Sequence, residues 1–265
     1  MHGQTTEIHP TAVIEDGAEL AAGCAVGPYC VVGAKVRLGE NVSLASHVVV
    51  SGDTKIGAGT RVWPFASLGS QPQDLKFGGE TTKLIVGSNN MIREYVTMNP
   101  GTTGGGGVTR VGDNNLFMMQ VHVGHDCVVG NNCVFANSAA LGGHVVISDN
   151  AIIGGLSGIH QFCRIGQGAI VGQGAAVTKD VIPFGSVTTH TANLSGLNLI
   201  GLKRRNLDKA DVNGLRAAYK QLFSGDGTLS ERAQAMAASQ PDNPLVLDVL
   251  EFLQASSDRS FCLPE

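Results

Sequence analysis

The stretch VGDNNLFMMQVHVGHDCVVGNNCVFANSAALGGHVVISDNAIIGGLSGIHQFCRIGQGAIVGQGAAV, Val111 to Val177, decides the fold. Taken six residues at a time, it gives Val111, Phe117, Val123, Val129, Phe135, Leu141, Ile147, Ile153, Ile159, Ile165, Val171 and Val177, a bulky apolar residue at every step. A helical face of period 3.6 does not produce that pattern, and neither does simple alternation. A strict six-residue apolar repeat is the mark of a hexapeptide parallel β-helix. Glycine often follows the marker, as at Gly112, Gly130 and Gly154, where tight corners leave little room for a Cβ. The fifth place of the hexad is small or β-branched: Val121, Cys127, Cys133, Ala139, Val145, Ala151. One large and one small inward side chain per hexad fill a narrow prism. Three hexads make a coil, so residues eighteen apart lie above one another.

Outward from this stretch the same register runs back to Ile8, through Ile14, Leu20, Val26, Val32, Leu38, Leu44, Val50, Ile56, Val62 and Leu68. Residues 69–85, containing SQPQDLKFGGETTK, break it and are expected to form an external loop. The markers resume at Val86, Ile92 and Met98, with Val86 expected one coil above Leu68. A second excursion at 101–110, GTTGGGGVTR, shifts the register by one. Long loops leaving a rigid solenoid usually carry function. The repeat ends near Pro183, so residues 1–190 are expected to form the β-helix and no globular domain is expected before it. Residues 191–265 are expected to be helical. Val212, Leu215, Tyr219 and Leu222 recur at helical spacing, with Asp208 or Asp211 as N-cap. Further helices are expected from Thr228 and from Pro244 through Leu253.

Composition excludes several classes. Lys and Arg number 18 against 22 acidic residues, a net charge of −4, so no general basic field points to nucleic acid. No run of about 18 apolar residues offers a membrane span. The opening MHGQTTEIHP lacks the basic and apolar regions of a secretory signal, so a cytoplasmic protein is expected. Of six cysteines, Cys24, Cys30, Cys127, Cys133 and Cys163 occupy the small inward place, where a thiol acts as a small hydrophobe. Reduced structural cysteines are expected.

Four histidines lie in the central coils: His122, His125, His144 and His160. Eighteen-residue stacking places His125, Gly143 and Gln161 along one corner. An imidazole there can act as general base toward a hydroxyl. Asp126 can orient it only if a corner intervenes, because neighbours on a strand point apart. Against this stands the plain reading that outward histidines decorate a polar face or pack between subunits. A metal reading, on the pattern of γ-class carbonic anhydrases, lacks an acidic shell, and no metal is expected.

The motifs HxxHDCxxGNxCxxAN (His122–Asn137), GGH (142–144), AIIGG (151–155), HQFCxIG (160–166) and GLKRR (201–205) resemble those of the UDP-N-acetylglucosamine acyltransferases. QDLKFGGE (73–80) and IRExVTMNxGT (92–102) match as well. The resemblance spans essentially the whole chain. It implies a left-handed coil and a homotrimer with active sites between adjacent β-helices. It also implies the first step of lipid A biosynthesis: transfer of an (R)-3-hydroxyacyl chain from acyl carrier protein to the glucosamine 3-hydroxyl of the UDP-sugar. The donor carries its acyl group on phosphopantetheine, and no other cofactor is expected. His125 would be the base, Asp126 its partner and the Gly143 N–H the oxyanion donor. Lys76, His122, His144 and Gln161 would position the sugar nucleotide, Asp74 would meet the acyl 3-hydroxyl and Arg204 a phosphate. His160, Asn198 and Arg205 complete the implied substrate contacts, and Gln173 would limit acyl-chain length. Asn99, Pro100, Ile200 and Gln173 depart from the commoner pattern. Acylation of a 3-amino sugar, another hexapeptide acyltransferase and a non-catalytic carbohydrate-binding β-helix are the competing readings.

Overall fold

A computed structural model describes residues 5–188 and 190–265. The first four residues of the expected 1–190 domain, and Thr189 within it, lie outside the described residues. Parallel strands, mostly of two residues, wind into a left-handed β-helix with three faces. The first face runs from Glu7–Ile8 to Ile170–Val171, then to Gly185–Thr188 and Asn193–Leu197. The second runs from Val13–Ile14 to Ala176–Val177, and the third from Glu19–Leu20 to Arg164–Ile165.

Eighteen-residue stacking holds through the regular coils, where His122 pairs with Ala140 and Ala140 with Gly158, and the last coil is two residues shorter, with Ile170 pairing Ser186. The markers fill the prism. Phe117, Phe135, Leu141 and Ile153 are fully buried, as are the small places Cys127, Ala139 and Ala151. The Phe117 and Phe135 rings stack with centroids 4.7 Å apart. Each such large side chain contributes roughly 1.5–3 kcal/mol by leaving water. All six cysteines are free and buried.

The excursions correct one expectation. Ser67 pairs with Thr97 and Val86 with Ile56, so the first excursion inserts twelve residues between the second face and the third. Met98, not Val86, lies above Leu68. The spacing misleads because one hexad plus twelve inserted residues equals one coil. The strand Lys83–Val86 also starts inside the expected 69–85 loop, since Lys83 pairs with Asp53 and its ammonium lies 3.8 Å from that carboxylate. The second excursion adds seven residues, with Thr97 pairing His122, and carries a short 3-10 turn at Thr103–Gly105. The strand Val108–Val111 begins within the expected 101–110 loop.

The expected division at 190/191 falls inside an antiparallel hairpin. Strands Gly185–Thr188 and Asn193–Leu197 pair across it and extend the first face, with Val187 and Leu194 buried together. Four helices follow: α1 (Leu199–Arg204), α2 (Lys209–Phe223), α3 (Leu229–Ala238) and α4 (Pro244–Gln254). Asp208 caps α2 through the N–H groups of Ala210 and Asp211, Thr228 and Glu231 form a capping box on α3, and Pro244 opens α4. Leu215, Leu222, Val246 and Val249 pack around Phe184 and Leu202. None of the described helices is long and apolar enough to cross a membrane.

The C-terminal tail returns to the prism. Asp180, wholly buried, accepts from Arg164 Nε and Ser257 Oγ, both at 2.7 Å. Its N–H donates to the Ser260 carbonyl, and its carbonyl accepts from the Cys262 N–H. Residues 257–262 are thereby pinned beside the last coils.

Candidate active site

An open cavity of about 500 Å³ lies against the second face and its corner with the third, walled by His122, His125, Gly143, His160 and Gln161. Above His122 the outward positions of the second face shrink to Ala140, Gly158 and Ala176, which leaves a smooth floor.

His125 and Asp126 meet because a corner does intervene. Asp126 has φ 59°, a left-handed conformation that turns its carboxylate back beside the preceding ring. His125 Nδ1 lies 2.8 Å from Asp126 Oδ2. That carboxylate also accepts from the Thr102 N–H at 2.8 Å and the Thr102 hydroxyl at 2.6 Å. The Asp126 N–H donates to Thr109 Oγ1 at 2.8 Å. Gly101 and Gly105 close on the same carboxylate so tightly that a Cβ on either would collide with it. The glycine-rich excursion thus cradles Asp126. With both carboxylate oxygens accepting, Nδ1 is the donating nitrogen of His125. Nε2 keeps its lone pair, the requirement for a general base.

Gly143 stands one coil above His125. Among the described residues its N–H meets no protein acceptor, so it is free to bind a developing oxyanion. His144 follows at φ 62°, edge-on to His125 with centroids 5.1 Å apart and stacked on Phe162 at 4.4 Å. Burial pushes the His144 pKa below its ordinary value, against the opposing pull of the Asp126 carboxylate. Burial likewise lowers His122, aided by His125, and His122 Nδ1 is 2.8 Å from Thr97 Oγ1. Asn99 is buried on the cavity wall. Its amide donates to the Ser70 and Gln71 carbonyls, while Oδ1 has no partner. A substrate donor would satisfy it.

The fold therefore gathers His122, His125, Asp126, Gly143, His144, His160 and Gln161. The first loop brings Gln73 to the wall, with Asp74 and Lys76 beside it in a turn where the Lys76 N–H donates to Asp74 Oδ1 at 3.0 Å. Four expected site residues lie away from this cavity within one chain. Asn198 is consumed as the N-cap of α1, accepting from the Gly201 N–H and donating to the Gly168 carbonyl. Arg204 is exposed at the end of α1, and Arg205 lies over the Phe184 ring at 5.9 Å. Gln173 is exposed on the corner between the first and second faces, one coil above Gly155. Sequence reasoning missed Thr97, Thr102, Thr109, Asn99's open acceptor and Arg259, whose guanidinium lies 2.9 Å from His160 Nδ1. Thr97, Asn99 and Thr102 fall inside the matched motif IRExVTMNxGT, which was the available signal. Arg259 carried none.

His125, Asp126 and His144 offer ligand atoms within 4.8 Å of one another, so a metal ion, if one bound, would bind there. The carboxylate is already engaged by His125 and Thr102.

A histidine paired with a buried carboxylate beside an open N–H, set on a left-handed β-helix of six-residue repeats, points to the hexapeptide-repeat transferases. Residues 109–143 match the bacterial transferase hexapeptide family (six repeats), and residues 180–262 match domain 2 of UDP N-acetylglucosamine O-acyltransferase. An acyl-[acyl-carrier-protein]–UDP-N-acetylglucosamine O-acyltransferase of Rickettsia canadensis is 54% identical over 257 residues, 97% of each chain. A crystal structure of a UDP-N-acetylglucosamine acyltransferase superposes with TM-score 0.94 at 41% identity, covering 98% of this chain and 100% of that one. The Moraxella catarrhalis enzyme gives 0.93 at 38%, covering 96% and 99%. The chain belongs to the UDP-N-acetylglucosamine O-acyltransferase family.

Proposed function

We infer that the protein transfers an (R)-3-hydroxyacyl chain from acyl carrier protein to the 3-hydroxyl of UDP-N-acetylglucosamine, the opening step of lipid A synthesis. His125 Nε2 takes the hydroxyl proton as that oxygen attacks the thioester carbonyl. The Gly143 N–H receives the resulting oxyanion. Collapse breaks the C–S bond, and the imidazolium returns the proton to the departing pantetheine sulfur. The product is an ester and a free carrier thiol. No enzyme thiol takes part: burial pushes the Cys127 pKa to about 12 and encloses its sulfur in the prism. His122, His144, His160 and Gln161 hold the substrates, and Asn99 Oδ1 accepts from a substrate donor. Asp74 and Lys76 reach in from the first loop.

Two surfaces support a homotrimer. The outward positions of the first face form a partly exposed apolar ladder, Leu116, Val134, Ile152 and Ile170. Leu75, at the tip of the first loop, is fully exposed. A neighbour's first face laid against the smooth second face would roof the cavity and form an apolar slot for the acyl tail. In that assembly the exposed Arg204 and Arg205 would serve a neighbour's substrate, while Asn198 holds the start of α1. Six buried free thiols fit a cytoplasmic setting.

The observation that carries this reading is the His125–Asp126 pair, aimed into a cavity beside an unpartnered Gly143 N–H. The test is mass spectrometry of product from hydroxyacyl carrier protein and UDP-N-acetylglucosamine. His125→Ala should reduce turnover at least about 10²-fold with the fold intact. Retained turnover would remove His125 as the base. Product formed only with the 3-amino sugar nucleotide would make the enzyme an N-acyltransferase.

A further inference from the structure

His160 stands on the cavity wall, and its ring is gripped from outside the β-helix. Arg259, in the C-terminal tail, places Nη2 2.9 Å from His160 Nδ1 and Nε 3.1 Å from the Gln161 carbonyl. The tail around Arg259 is fixed on both sides. Ser257 Oγ donates to buried Asp180 and accepts from the Arg259 N–H at 3.1 Å, while the Ser260 carbonyl and Cys262 N–H bond to the Asp180 backbone. Arg259 therefore reaches His160 from a preset position.

The contact decides which nitrogen of His160 carries hydrogen. A guanidinium only donates and remains charged throughout the working pH range. Nδ1 must then offer its lone pair. The competing contact, Nδ1–H to the Gln161 carbonyl, is longer at 3.3 Å, and that carbonyl already accepts from Arg259 Nε. The ring is left with its hydrogen on Nε2.

We propose that Arg259 is a positioning residue: it locks His160 as the Nε2–H tautomer, so that the ring presents a hydrogen-bond donor to an acceptor oxygen of the bound substrate. This rests on the reading of the cavity as the acyl-transfer site. His125 and His160 then have opposite roles on one wall. Asp126 fixes the first as an acceptor at Nε2, and Arg259 fixes the second as a donor there.

The experiment is a long-range ¹H–¹⁵N correlation spectrum of the full-length, histidine-labelled protein, with the His160 signals assigned by their loss in His160→Gln. The native protein should show His160 in the Nε2–H form. Arg259→Ala should give a tautomer mixture, and Arg259→Lys should restore much of the Nε2–H form. In steady-state kinetics Arg259→Ala should raise the KM of one substrate about tenfold, a loss typical of one charge-assisted hydrogen bond, and affect kcat less. Native His160 in the Nδ1–H form overturns the proposal without any variant. An Arg259→Ala spectrum with an unchanged tautomer also overturns it. These spectra need no turnover, so they fail separately from the site assignment, which His125→Ala tests.

Discussion

Gly143 is packed directly on the His125 imidazole: a Cβ at position 143 would lie 2.5 Å from Nε2 and 3.0 Å from Nδ1. Gly143 does not have the positive φ that would strain an alanine, so Gly143→Ala tests space rather than backbone conformation. The methyl must displace a ring already bonded to Asp126. A displacement near 1 Å at a reacting group can cost about 10²-fold, and kcat should fall on that order while the melting temperature changes little. Stopped or continuous assay of thioester loss, with a melt on the same sample, checks both. Near-native kcat would show that the ring can move freely, against the packing seen.

Asp126 is held by Thr102, and that bond is separable from the rest of the loop. Thr102→Val keeps the shape and removes the hydroxyl that donates to Oδ2 at 2.6 Å. The Thr102 N–H bond to Oδ1 remains. Losing one charge-assisted bond should lower kcat by about tenfold, through a looser His125, with less effect on KM. Thr102→Ser should recover most of it. Equal loss in both variants would assign the effect to loop packing.

How far these features could be read from the chain depends on where their cause lies. The prism was legible because Phe117, Phe135 and Ile153 recur at the period that fills it. The stack of His125, Gly143 and Gln161 followed from the same period. The His125–Asp126 bond was legible only through the resemblance and on the condition of a corner; the left-handed φ that supplies the corner recurs at the same hexad place in Gln120, Asn132, Ser138 and His144, so the repeat sets it and the aspartate itself does not announce it. The place of Val86 was misread since the inserted length imitates one coil. Helix α1 has six residues, too few to show a period. Arg259 is 98 residues from Gln161, and only the return of the tail to Asp180 brings them together.

Acid should destabilise the fold through His122 and His144. Burial holds both below their ordinary value of 6.5. The unfolded chain therefore binds more protons as pH falls through about 6.5, so stability present above that value is lost below it and levels off once the folded histidines also titrate. Melting temperature should fall between about pH 7 and pH 5.5. His122→Gln, which can still bond Thr97 Oγ1, should flatten part of that slope. A slope identical in the variant would exclude His122 as a source.

Carrier recognition should depend on salt. The segment Lys203–Lys220 holds six basic and two acidic residues, and Lys203 and Arg204 are exposed on α1. Acyl carrier proteins are acidic. Opposite charges speed encounter, and salt screens them over about 8 Å at physiological ionic strength. The KM for the carrier should rise with salt, and Lys203→Ala or Arg204→Ala should raise it at low salt. If neither variant changes the salt response, the docking surface lies elsewhere.

Acyl-chain length should be set near Gln173. The apolar ladder of the first face climbs from Leu116 through Val134 and Ile152 to Ile170 and meets the corner that carries Gln173. Gly154, one coil below Gly172, lies close under this backbone, where an added Cβ would come within 2.6 Å of the Gln173 nitrogen. The Gln173 side chain is exposed on that corner. A tail pressed against its amide would strip water from a polar group, at a cost of about 1–3 kcal/mol. Giving up one methylene of tail forfeits only about 0.8 kcal/mol. The balance favours chains that stop short of the amide. Gln173→Gly removes the obstruction and should move the optimum to longer hydroxyacyl chains, read from competition among carriers of graded length. An optimum that stays in place would clear Gln173 and direct attention to Ile170, the last rung of the ladder beneath it.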